Sequence, residues 1–216
     1  MKLLKNLVLI ALLVAVLPAA VLAQKPKGKD QLVTISTPQG DIKLVLFDDT
    51  PQHKANFLKL AKEGFYDGTT FHRVIDGFMI QGGDPNTKDA DPTNDGTGNP
   101  GYTIPAEIKP NHKHVRGAVA AARQGDFANP QRASSGSQFY IVQNHDGTPM
   151  LDEAYTVYGQ VVDGLDVVDK IAQLAKDGRD RPLSDVPMKV TVEKVKKKKI
   201  ARKYDYNYNT QTLEKK

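Results

Sequence analysis

Phe71-His72-Arg73-Val74-Ile75-Asp76-Gly77-Phe78-Met79-Ile80-Gln81-Gly82-Gly83-Asp84 is the stretch on which the reading of this chain turns. Hydrophobic strand character flanks Asp76-Gly77, a pair that favours tight reversals. Arg73, Met79 and Gln81 share odd parity, so regular strands aim them to one side, although the turn interrupts strict periodicity. A permanently charged guanidinium beside large apolar side chains is costly in a core and useful in a site.

Outward from this stretch the chain alternates in short runs. Residues 32–37 and 41–47 read as strands joined by a hairpin turn at Thr37-Pro38-Gln39-Gly40. Thr50-Pro51 opens a helix with Thr50 as N-cap, and Gly64 ends it. Residues 84–101 and 123–136 are polar loops, and Tyr102–Ile108 is extended until Pro105 interrupts it. Residues 117–122, 137–143, 156–162 and 188–195 complete the strands. Within 137–143, Gln138, Tyr140 and Val142 share one face and Phe139 and Ile141 the other. Residues 164–175 form an amphipathic helix. Many short strands with two separated helices suggest a mostly β chain whose antiparallel sheet closes on itself.

Two further segments join the first: Ala120-Ala121-Ala122-Arg123 with Ser135-Gly136-Ser137-Gln138-Phe139-Tyr140-Ile141, and Leu151-Asp152 with Tyr155-Thr156-Val157-Tyr158-Gly159-Gln160-Val161. In this order and spacing the three segments resemble the cyclophilins, the peptidyl-prolyl cis-trans isomerases, over residues 32 to 195. The resemblance implies an eight-stranded antiparallel β-barrel capped by two α-helices. It implies rotation of X-Pro bonds in peptides and in folding exported proteins, with no metal or other cofactor. By the same resemblance Arg73 is the catalytic donor, and Phe78, Met79, Tyr140 and Leu151 form the proline pocket. Gln81 and Gln138 hold Arg73 and the substrate backbone, and Ala122 and Arg123 rim the place of the residue before proline. Tyr155 stands where the family often has histidine, Arg123 where it often has asparagine, and Tyr140 where phenylalanine is common, which makes the pocket slightly more polar. Met150 replaces a common tryptophan that contacts cyclosporin, so weaker drug binding is expected. His72 is read as structural. Loop 124–134 is longer than in compact members. The alternative is a non-catalytic proline-peptide-binding module on the same fold.

Composition places the rest. Lys2 and Lys5 precede an apolar run from Leu7 to Leu17, and Val21-Leu22-Ala23 offers a small-residue cleavage site. Residues 1–23 therefore read as a secretory signal peptide, with an uncleaved anchor as the alternative. Export to the periplasm, or full secretion, is expected, and the absence of cysteine suits an oxidising compartment. Residues 24–31 read as a linker. The net charge of +5 is unevenly spread: residues 194–216 hold nine Lys/Arg and two Asp/Glu, whereas 24–193 hold 19 and 23. A mildly acidic body with a basic end argues against a nucleic-acid-binding domain. The end, 196–216, with Tyr204, Tyr206 and Tyr208, reads as a soluble, partly disordered tail; the alternative is a weak tether to an anionic envelope surface. The domain is expected to act as a monomer. His112 and His114, with Asp89, Asp91 and Asp95 nearby, show no complete metal-ligand set and read as solvated loop residues.

Overall fold

The turn Thr37–Gly40 reverses the chain where the alternation requires it. In the computed structural model, which describes residues 26–214, β1 (Lys29–Thr37) and β2 (Gly40–Leu46) pair antiparallel with Thr37 opposite Gly40. The Thr37 hydroxyl donates to the Gly40 carbonyl at 2.9 Å, and Gly40 itself sits at φ +129°, a region that glycine enters without cost. The signal-peptide reading lies outside the described residues. Among those residues no helix is long and apolar enough to cross a membrane.

The chain continues through α1 (Pro51–Lys62), β3 (Phe71–Ile75), β4 (Met79–Gly82), β5 (Thr103–Ile104), β6 (Ala118–Ala121), β7 (Ser134–Ser135), β8 (Phe139–Val142), β9 (Val157–Asp163), α2 (Leu165–Ala172), β10 (Lys189–Lys196), α3 (Lys197–Tyr204), β11 (Tyr206–Asn207) and β12 (Thr212–Leu213). Eight strands form one antiparallel sheet in the order β10-β1-β2-β9-β6-β8-β4-β3. The sheet curls until its two end strands meet. Phe71 N–H donates to the Val186 carbonyl at 3.0 Å and Met188 N–H to that of Thr69 at 2.8 Å, so the approaches to β3 and β10 are tied. This curled eight-stranded antiparallel sheet is the barrel that the resemblance implies, with β5 and β7 as a separate two-stranded pair.

Strand alternation sends Val33, Ile35, Ile42, Leu44, Val74, Ile80, Val119, Phe139, Ile141 and Val161 into one interior cluster. α1 adds Phe57, Leu58, Leu60 and Ala61 to it, and α2 adds Val167, Val168, Ile171 and Ala172. Thr50 is the N-cap residue with Pro51 at the first helical position, as the sequence reads, but the capping bond itself is absent. The Thr50 hydroxyl donates to the Phe47 carbonyl instead. The first turn of α1 is satisfied from outside, because the Glu107 carboxylate accepts from Gln52 N–H at 3.2 Å and His53 N–H at 2.9 Å. That carboxylate also meets His53 Nδ1 at 2.7 Å.

Both ends of the domain extend further than the sequence suggested. Residues 29–31 are not linker: they pair with Lys196, Val195 and Lys194. Asp30 is buried there and accepts from Lys54 Nζ at 2.9 Å. The basic end is not a disordered tail. α3 and the β11–β12 hairpin lay Ile200 and Tyr206 over Leu32, Val45, Val162 and Val195, outward-facing residues of the barrel. Lys197 fixes the start of α3 by pairing with Asp48 at 2.9 Å and lying 5.0 Å over the Tyr208 ring. The fold thus has a third helix that the two-helix expectation did not include. The apolar residues responsible are few and set among lysines, so composition concealed them.

Candidate active site

The two-residue period that fills the barrel also builds a second, outward-facing cluster on the same strands. Ile80 of β4 faces the interior, whereas Met79 faces out; Phe139 and Ile141 of β8 face in, whereas Tyr140 and Val142 face out. On β6, Val119 and Ala121 face in and Ala118 and Ala120 face out. The reversal at Asp76-Gly77, with Gly77 at φ +73°, sets Ile75 opposite Met79 and Arg73 opposite Gln81. Cross-strand partners project to the same side, so Arg73, Met79 and Gln81 share the outer face that their odd parity predicts. Gln143 and Asn144 clamp this turn. Gly77 N–H donates to Gln143 Oε1 at 2.7 Å and Asn144 Nδ2 to the Gly77 carbonyl at 2.7 Å.

Met79 and Tyr140 are buried and form the floor of the outer cluster. Phe78, Ala122, Leu151 and Tyr155 are half-buried and pack around them. Six predicted positions from three distant segments therefore converge on one apolar patch with incompletely covered walls. Such a patch can take a small apolar ring.

Arg73 lies beside it, with its side chain 43% exposed. Among the described residues its ionic partner is Asp180, whose Oδ2 is 4.0 Å from Nε. Asp180 already takes Lys176 Nζ at 2.8 Å, so the guanidinium keeps donors free for a ligand. The glutamines do not hold it as expected. Gln81 Nε2 donates to Gln138 Oε1 at 3.0 Å, and Gln138 Nε2 donates to the carbonyls of Gly96 at 3.0 Å and Gly98 at 2.8 Å. Gln138 is buried and its amide is spent on these bonds. It braces Gln81 and the 96–98 loop and does not present itself to a substrate backbone. Asp84, fully buried, completes the brace by accepting from Asn86 and Gly98 N–H.

Tyr140 does not add polarity to the pocket surface either. Its hydroxyl lies 2.9 Å from His114 Nε2, and His114 Nδ1 lies 2.9 Å from Asp152 Oδ1. Burial pushes the Tyr140 hydroxyl well up, so it is the proton donor and the neutral imidazole accepts. Burial also lowers the His114 pKa, against the opposing pull of Asp152. His114 and His112 are therefore not solvated loop residues: both are buried, and His112 Nε2 meets Asp49 Oδ1 at 2.8 Å. A buried ring needs a partner, and each has found a carboxylate. The Asp152–His114–Tyr140 chain escaped the sequence reading. The signal was a phenol in an apolar strand, which requires a polar neighbour.

Arg123 is also turned from the rim. Its side chain is 4% exposed, bonded to the Ala154 carbonyl at 2.9 Å and to Asp126 at 2.7 Å, and stacked 4.4 Å from the Tyr155 ring. It fixes Tyr155 and the start of loop 124–134. His72 is buried, and among the described residues neither ring nitrogen makes a full hydrogen bond, the Thr70 backbone acting on it from nearby. Met150 is largely exposed next to Leu151. Among the described residues no group of three or more His, Cys, Asp or Glu is placed to hold a metal ion.

Residues 32–193 match the family described as cyclophilin type peptidyl-prolyl cis-trans isomerase/CLD. A peptidyl-prolyl cis-trans isomerase of Synechococcus elongatus is 44% identical over 151 residues, covering 69% of this chain and 91% of the relative. A longer Streptococcus pyogenes relative, described as a bifunctional phosphatase/peptidyl-prolyl cis-trans isomerase, is 40% identical over 187 residues, 71% of this chain and 37% of its own length. The crystal structure of a cyclophilin type isomerase from Cryptosporidium parvum superposes with a TM-score of 0.67 at 30% identity, covering 77% of this chain and 98% of that one. The same protein determined in the presence of the dipeptide Ala-Pro gives 0.66.

Proposed function

This chain belongs to the cyclophilin-type peptidyl-prolyl cis-trans isomerase family and shares its activity, and we propose that Arg73 supplies the transition-state contact while the outer cluster grips the proline ring. The X-Pro bond rotates slowly because amide resonance gives it double-bond character, with a barrier of roughly 20 kcal/mol. Rotation requires no nucleophile. It requires that the twisted state be held better than the planar ones. As resonance is lost the proline nitrogen becomes pyramidal and gains a lone pair. A guanidinium donor placed there forms a hydrogen bond that the planar amide cannot accept. Phe78, Met79, Tyr140 and Leu151 hold the ring, the Ala122–Arg123 segment borders the residue before it, and Gln81, the cross-strand neighbour of Arg73, is braced by Gln138.

The observation that carries this reading is an exposed guanidinium whose ionic partner among the described residues, Asp180, lies at 4.0 Å and is already paired with Lys176, beside a half-open apolar floor built from three segments. A dipeptide of the Ala-Pro type, as used with the Cryptosporidium parvum relative, is the minimal ligand. The test is the cis-to-trans rate of a short X-Pro peptide with residues 24–216, compared with Arg73→Ala and Arg73→Lys. Loss in both variants supports the role. An unchanged rate in Arg73→Ala removes it.

The same reading sends the protein out of the cytoplasm, to the periplasm or beyond, where it acts as a monomer on folding exported proteins. The basic run, the apolar run and the small residues at 21–23 support this. The exposed Lys198, Lys199 and Arg202 of α3 give it a weak contact with anionic envelope surfaces. Fractionation of cells expressing the tagged full chain tests the first statement. Sedimentation with anionic vesicles tests the second.

A further inference from the structure

β3 is an end strand of the sheet, and a cavity of about 260 Å³ opens beyond it, bounded by His72, Arg73, Pro92, Asp95, Arg179 and Arg181. Its wall is fixed to the active-site strand. Val74 N–H donates to the Asp180 carbonyl at 2.8 Å, and Lys176 Nζ to the Val74 carbonyl at 3.0 Å. Asp177 Oδ1 accepts from the N–H groups of Arg179 at 2.8 Å and Arg181 at 3.0 Å, which sets the two arginines.

The charges in this cavity are unequally matched. Arg181 is neutralised by Asp95 at 2.6 Å and Asp185 at 2.8 Å. Arg179 is exposed, and its guanidinium makes one long bond, 3.4 Å, to the Pro92 carbonyl. Among the described residues the ionic partner of Arg73 is Asp180, at 4.0 Å. Two further carboxylates act on Arg179 from a distance: Asp91 is exposed and bonded to Thr93, and Asp177 accepts from backbone N–H groups, so neither pairs directly with the guanidinium. His72 is a second sign of a ligand: its ring is buried against the cavity, and among the described residues neither nitrogen makes a full hydrogen bond, with the Thr70 backbone and the Asp84 and Asp95 carboxylates acting on it from nearby. Buried polar atoms are nearly always satisfied, so a group entering the cavity is the natural acceptor for the ring N–H.

Sheet order fixes which part of a substrate arrives there. The Ala122–Arg123 segment follows β6, the pocket floor lies on β8 and β4, and Arg73 lies on β3. Three strand spacings amount to roughly 14 Å, or about four residues of extended peptide. With the residue before proline at Ala122–Arg123, the chain after proline passes over β3. We propose that this cavity is a subsite for an acidic side chain on one of the three residues following the substrate proline, held by Arg179 and the His72 ring. The inference rests on the isomerase reading above.

The test uses peptides with Glu, Ala or Lys at each of the three positions after proline. Isomerisation is read as kcat/KM and binding by calorimetry, at low and high salt. At one position Glu is expected to exceed Lys by roughly two- to five-fold, the range of an exposed ion pair, and the ratio collapses in high salt. Arg179→Glu, a substitution at an exposed position, reverses the ratio in favour of Lys. Equal kcat/KM for Glu, Ala and Lys peptides overturns the subsite and leaves the isomerase standing. If the folded protein turns over none of them, the isomerase reading fails, and calorimetry still decides the subsite: tighter Glu binding supports it and equal binding overturns it.

Discussion

Over β1, β2, β9 and β10 the outward Leu32, Val45, Val162 and Val195 lie under Ile200 and Tyr206, which are 0% and 3% exposed. Over β4, β6 and β8 the outward Met79 and Tyr140 lie under Phe78, Leu151 and Tyr155, all only half-buried. Both patches arise from strand alternation on one barrel, and both remove apolar surface from water. They differ in what completes them. The first is closed by the chain's own C-terminal segment and contributes to stability. The second is left partly open beside Arg73, whose pair with Asp180 is long, and in the proposed reading a substrate's proline ring completes it. An outward apolar face becomes a site when the chain withholds its own cover and places a charge at the margin.

Substitutions separate the two patches. Arg73→Ala is expected to lower kcat/KM about a hundred-fold or more, by analogy with loss of one preorganised donor, with little change in melting temperature. A melting shift as large as that of a core variant would mean Arg73 belongs to the scaffold. Ile200→Ala acts on the sealed patch and should cost about 2–3 kcal/mol in denaturant unfolding while kcat/KM of the folded protein holds. Loss of activity in step with stability would show that the two patches communicate.

Tyr140→Phe sharpens the comparison within the open patch. It keeps the pocket floor and strips His114 Nε2 of its partner, at an expected cost of about 1–2 kcal/mol. Unchanged stability would show that water replaces the hydroxyl.

The smallest effect is in pH. Burial lowers the pKa values of His53, His72 and His114 below 6.5. The unfolded chain then binds protons that the folded one does not, so stability is full above about pH 6.5 and falls as pH drops below it. A melting temperature lower by roughly 3 °C or more at pH 5 than at pH 7.5 is expected. A flat profile over that range would place these rings in solvent.

Much of this was legible beforehand. Parity in 73–81 and in 137–143 divided interior from outer residues, because a strand's side chains alternate whatever they pack against. Turn chemistry at 37–40 and 76–77 placed both hairpins for a similarly local reason. The errors have a common origin in partners distant along the chain. Glu107 caps α1 from 54 residues beyond His53, Asp152 lies 38 residues from the His114 it orients, and Gln138 spends on Gly96 and Gly98 the amide expected to face substrate. The basic end misled because lysine dominates its composition, while four barrel residues decide its fate.

The sequence by itself determined the strands, their faces, the family they belong to and the residue types gathered for the site, since these follow from local periodicity and motif. Only the tertiary structure decided which polar groups are spent on the scaffold and which stay free, because hydrogen-bond satisfaction is a property of neighbours in space. It left the Arg73 guanidinium exposed, turned Gln138 and Arg123 inward, and folded α3 and the β11–β12 hairpin over the outward Leu32, Val45, Val162 and Val195.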